Sequence, residues 1–207
     1  DISINGSVVA TLDRGEFHEQ IVKQAAEMTA SAPILVAQYS NGSEYDGVTA
    51  DPFMMLLPPH EQFLAAYTVG TPASDFSGHY INVVAPTAAV GSIMLDGSAI
   101  PADEFSAIGA TGYAGAQVRV SAGTHNLSGP LPFGVFSYGF GDDVSYGFPG
   151  GLSTSPVARV SSLAVSPEST SATTGHEVCV TAEVNDQDSN PLAGIRVDFT
   201  VAGANSD

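Results

Sequence analysis

The chain has 207 residues, with 22 acidic groups against 5 basic ones, a net charge of −17 and a pI near 4.2. So few cationic side chains exclude a nucleic-acid ligand, whose phosphates need them, and disfavour an anionic membrane surface. At 43% hydrophobic the chain is apolar enough to fold as one large domain or two small ones, yet no apolar run reaches the ~18–20 residues that span a bilayer, and no signal peptide is expected.

Asp1-Ile2-Ser3 reads as the middle of a domain, so earlier strands are expected outside the sequence. Glu16 to Met28 is rich in helix formers, and Phe17, Ile21, Ala25 and Met28 share a helical face. At most one short helix is therefore expected, near 17–28, with tertiary pairing able to draw part of it extended. Everything else reads as strands. Gly (22) and Pro (13) separate β-prone runs at Ile34–Tyr39, Phe63–Val69, Tyr80–Val84, Ser92–Leu95, Gln117–Ser121 and Phe133–Phe140. Asp96-Gly97 predicts a two-residue hairpin, because both residues accept positive φ. Asn41-Gly42 and Asp46-Gly47 mark a turn-rich loop. Bulky residues on both faces of 133–140 predict a central strand covered on two sides, and the glycines from 134 to 151 leave room for close backbone approach.

Composition changes at Pro149–Pro156, after which aromatics almost vanish. Strands are expected around Val160–Val165, at Glu177–Val184 and at Ile195–Val201, with a turn over Asp186–Gly194. Three strands are too few for a sandwich. Residues 1–155 are thus expected to form one β module and 156–207 the first strands of an incomplete second one. The fold class is all-β: a β-sandwich-like module followed by part of an Ig-like β-sandwich.

Two resemblances rest on particular segments. Ala32–Tyr39, Ala50–Met54, Leu57-Pro58-Pro59, Tyr80–Val84, Leu95-Asp96-Gly97, Ala122–Leu127 and Phe133–Phe140 occur in the order seen in the amino-terminal domain family of IgGFc-binding proteins. The likeness covers about 1–150. It implies an extracellular β-sandwich-like module, as in mucin-like animal proteins and large bacterial surface proteins; an Fc ligand would follow by analogy alone. Over 157–207, Thr174-Gly175-His176, Glu177–Val184 and Asn190–Asn205 resemble the first half of an invasin-type bacterial Ig-like repeat. That implies a spacer in a surface adhesin.

No catalytic residue is assigned. His60-Glu61 lacks the second histidine of a zincin helix, and His18, His60, His79, His125 and His176 have no ligand spacing. There is no Gly-x-Ser-x-Gly elbow and no P-loop. No metal or cofactor is expected either. Calcium is the best candidate, with Asp142-Asp143, Asp103-Glu104 and Asp186/Asp188 as loop carboxylates, but solvated acidic loops are the favoured explanation of them. Cys179 is the one cysteine and falls with Glu177, Thr181 and Glu183 on the polar face, so its disulfide partner is expected outside this chain; a free thiol is the alternative.

The expected function is adhesion or recognition by a non-catalytic, extracellular surface module. Its protein or glycan ligand would meet loops at Asn41–Asp51 and Gly139–Gly151. The alternative is a filament or coat subunit that self-associates through open sheet edges. An enzyme cleaving glycans or peptides is the weakest reading.

Overall fold

A strand is stable only where its side chains meet another layer and its backbone meets another strand, and the chain meets these conditions unevenly. The computed structural model describes residues 1–47, 49–154, 160–168, 171, 176–192, 195 and 197–200. They fall into two units, Asp1–Val157 and Ala158–Asp207.

The first unit begins with β1 (Ile2–Ile4), β2 (Ser7–Ala10) and β3 (Met28–Ala30), in a small sheet of order β2-β1-β3. Asn5 and Gly6, both at positive φ, turn β1 into β2. No helix forms over 16–27. Phe17 is 83% exposed and Ile21 56%, so the expected apolar stripe has nothing to pack on, and a short helix without burial is marginal in water. Glu27 exchanges hydrogen bonds with Asn5 instead, and Met28 pairs with Ile4. The one α-helical turn described, α1 (Ser43–Asp46), lies in the turn-rich loop and is closed by Gly47 at φ 67°.

Around α1 runs a two-stranded ribbon, β4 (Val36–Tyr39) with β5 (Met54–Leu57). Then follow β6 (Leu64–Thr71), β7 (Gly78–Pro86), β8 (Met94–Leu95) and β9 (Ser98–Ala99). The β8–β9 turn is Asp96-Gly97 at φ 50° and 83°, the hairpin that the sequence predicts. The unit ends with β10 (Phe105–Ala107), β11 (Tyr113–Val120), β12 (Gly123–Gly141) and β13 (Val144–Pro149).

β12 organises the unit. Its first part, Gly123–Ser128, pairs with β6 and reaches β8; its last part, Gly134–Phe140, lies between β7 and β13. The register breaks between Ser128 and Phe133, where Pro130 and Pro132 supply no N–H to a ladder. The eight-stranded sheet joined through β12 thus turns a sandwich-like corner at this point. Ile81, Val83, Val135, Phe133, Leu127 and Val69 form the core between the two halves. Burying each such side chain contributes about 1.5–3 kcal/mol. Phe53, Met55 and Phe63 cover the opposite face at Phe136 and Tyr138. β12 is covered on both faces, as its doubly bulky pattern predicts. Gly134 and Gly147 allow it: a Cβ on either would collide with the Phe63 or Phe53 ring.

The second unit contains β14 (Val160–Ser166) and β15 (Thr181–Asp186), paired antiparallel. Leu163 and Val165 share a face with Ala182 and Val184, as alternation predicts, yet Leu163 and Val165 remain exposed. The expected turn after Asp186 is present. The Asp186 carboxylate accepts hydrogen bonds from the Asp188 and Asn190 backbone N–H groups, both 2.8 Å, and from Asn190 Nδ2. Residues 176–180 carry no strand, and neither do 195 and 197–200. The rest of the expected 195–201 strand, and Thr174-Gly175, lie outside the described residues.

Candidate functional site

The β4–β5 ribbon is apolar on both faces. Directly opposed residues share a face, so Gln38 and Met55 point one way with Val36 and Leu57, while Tyr39 and Met54 point the other way with Ala37 and Leu56. On the first face Met55 is buried and Leu57 packs against the aromatic core. On the second, Tyr39, Met54 and Leu56 are exposed, and Leu35 continues the patch at the ribbon's start. Tyr45 of α1 is exposed as well. A contiguous bare apolar patch on a folded module marks a contact surface. Tyr and Met are also enriched in protein interfaces.

A second arrangement lies on the face of the β11-β7-β12 sheet that Phe53, Met55 and Phe63 partly cover. Gln117 stands opposite Asn82, and Tyr80 opposite both Arg119 and Tyr138. Gln117 Nε2 donates to the Tyr138 hydroxyl, which donates to Asn82 Oδ1 at 3.2 Å. Burial pushes the Tyr138 pKa up, so the hydroxyl keeps its proton for this bridge. Tyr80 stacks on Tyr138 with ring centroids 5.5 Å apart.

The histidines are not brought together. His125, buried in β12, places Nδ1 2.7 Å from Asp96 Oδ2 and Nε2 2.9 Å from the Ser121 carbonyl. Both ring nitrogens face acceptors, which suits the doubly protonated imidazolium. Burial alone would lower its pKa, but the Asp96 and Ser121 hydrogen bonds outweigh burial and raise it. Asp96 is held below its usual value by His125 and by the Asn126 N–H. The pair ties the β8–β9 turn to β12. His79 Nδ1 lies 2.9 Å from the Tyr146 hydroxyl, and His60 meets Glu61 and the edge of Tyr113.

Three or more His, Cys, Asp or Glu side chains do not gather in a metal-binding group among the described residues. The candidate calcium carboxylates sit apart: Asp186 closes its own turn, Asp142-Asp143 forms the β12–β13 turn, and Asp103-Glu104 lies in a short 3-10 turn. Cys179 is exposed, its Sγ 4.0 Å from Glu177 Oε1. Gly139–Gly151, expected as a display loop, is mostly the β12–β13 hairpin. Its Gly139, Gly147 and Gly150 lie against Tyr146, Phe53 and Val135. Sequence reasoning missed the ribbon's bare face, although Met54–Leu57 carried a signal: four apolar residues in a row leave no polar side.

A family model described as IgGFc binding protein matches residues 1–139. The chain belongs to this family. The match runs from β1 to near the end of β12 and includes the ribbon, the amide pair and both covers of the central strand. It does not reach the second unit, where no finding bears out the invasin-type repeat. No curated protein and no solved structure matches the chain. The family is one of non-enzymatic binding domains, and the chain is all-β. Among the described residues no helix is long and apolar enough to cross a membrane.

Proposed function

We propose that residues 1–155 act outside the cell as a recognition module of a surface protein, with 156–207 beginning a spacer domain. The partner is a protein, and it docks on the bare face of the β4–β5 ribbon. The observation that carries this reading is the exposed row Leu35, Tyr39, Met54 and Leu56 on a ribbon whose other face is already packed. Burying such a row against a second apolar surface is favourable by about 25 cal/mol per Å². The family's description makes the Fc region of immunoglobulin G the first partner to test. Immobilised Fc should retain the chain, and Tyr39→Asp with Leu56→Asp should weaken retention at least ~10-fold, since each puts a charge in the desolvated contact. Retention unchanged by both substitutions would remove the ribbon from the reading.

A second reading, a filament or coat subunit, is favoured by the exposed Leu163 and Val165 on the apolar face of β14–β15. Strand addition from another chain would cover that face. Size-exclusion chromatography and electron microscopy separate the readings: concentration-dependent polymers support the filament, and a monomer sinks it.

A further inference from the structure

We propose that β6 is an open edge on which a second copy of this chain pairs, antiparallel and about a two-fold axis at Thr68. β6 (Leu64–Thr71) is bonded to β12 on one side, and among the described residues no strand lies on its other side. A strand spends alternate backbone groups on one neighbour, so the remaining N–H and C=O groups between Ala65 and Gly70 point outward. Among the described residues none of them bonds to a loop or a side chain. Ala65, Ala66, Thr68 and Gly70 are exposed, while Tyr67, Val69 and Thr71 hold the strand to the core. Folded proteins guard such edges with charge, proline or brevity. The other edge strands of the first unit run to between two and six residues, and the longest, β13, follows Asp142-Asp143 and ends in Pro149. β6 has eight residues and no such guard. From Gln62 to Ser74 there is no acidic or basic side chain, in a chain with 22 acids and 5 bases.

The sequence of β6 fits itself. With Thr68 opposite Thr68 of the second copy, Ala66 stands opposite Gly70, Tyr67 opposite Val69 and Ala65 opposite Thr71. Threonine pairs and aromatic–β-branched pairs are favourable cross-strand neighbours, and no charge on either strand repels the other. Two chains of net charge −17 repel over most of their surfaces, and this neutral edge lets them approach. The pairing consumes the edge of both copies, so assembly closes at two. It uses neither the bare face of the ribbon nor β14–β15, and so stands or falls apart from both readings above.

Sedimentation equilibrium of the whole chain tests this over a concentration series up to ~0.1 mM, at low and at high salt. One strand pair buries little area, so the dimer is weak, with twice the 21.1 kDa mass of the chain. It should tighten in high salt, which screens the repulsion between copies. Thr68→Lys and Thr68→Glu each set like charges face to face and should weaken the dimer ~10-fold or more. An equal mixture of the two variants should restore it, which a folding defect could not do. Amide exchange over 65–71 should slow as the wild-type dimer forms. Leu163→Asp and Tyr39→Asp should leave the dimer unchanged. The proposal is overturned by a monomer throughout the series, by a dimer that keeps its affinity in both Thr68 variants, or by a mixture no tighter than either variant alone. Loss of the dimer in Leu163→Asp, or exchange over 65–71 that ignores concentration, would overturn it too.

Discussion

β12 and the β14–β15 pair answer the same demand differently. In both, apolar residues sit where strand periodicity puts them. The last part of β12 has the sandwich core on one face and Phe53, Met55 and Phe63 on the other, so Phe133, Val135, Phe136 and Tyr138 are all buried. In β14–β15, Val184 is buried while Leu163 and Val165 on the same face are not. Alternation therefore says which way a side chain points, and only a further layer of chain turns direction into burial.

Truncation measures the contrast most sharply. Phe133→Ala should cost about 3–5 kcal/mol, because a fully buried ring leaves a cavity. Near-UV dichroism reads this cleanly, since all seven tyrosines lie in the first unit. Leu163→Ser should alter amide-exchange protection in β14–β15 by less than about 0.5 kcal/mol. Similar losses in the two variants would abolish the distinction. A smaller effect tests the cover over β12. Gly147→Val forces a side chain into the Phe53 ring and should cost about 1–3 kcal/mol in a denaturant melt. A neutral result would mean that Phe53 does not pack there.

The smallest effect is in pH. His125 has a folded pKa above 6.5, so its contribution to stability is complete below 6.5 and is lost as pH rises through the folded value. Asp96 has a folded pKa below 3.8, so its contribution is complete above 3.8 and is lost as pH falls through the folded value. The first unit's melting temperature should plateau between these limits and decline on the alkaline side. His125→Asn should flatten that decline; a wild-type slope in the variant would show that another group causes it.

Much of the fold was legible because its strands announce themselves locally. The doubly bulky 133–140 run, the Asp96-Gly97 hairpin and the Val160–Val165 strand need only neighbouring residues to be read. The 16–28 segment misled because helical periodicity does not reveal whether a partner exists, and Phe17 and Ile21 have none. β13 was hidden by the glycines in and around it, which mark a loop in the sequence but serve here as close contacts: Gly139 of β12 lies against Tyr146, and Gly147 of β13 against Phe53. The Asn82–Gln117 pair was out of reach for another reason. The residues meet only through the register of β7 on β11, a long-range property that no local pattern encodes.

Adjacent methionines provide the most direct test of the ribbon as a protein-binding face. Met54 lies on its bare side at 51% exposure and Met55 on its packed side at 3%. Hydroxyl-radical footprinting of the free chain should oxidise Met54 much faster than Met55, and a bound protein partner, Fc first, should slow Met54 while leaving Met55 unchanged. Equal oxidation of the two in the free chain, or an unprotected Met54 in a formed complex, would contradict the account.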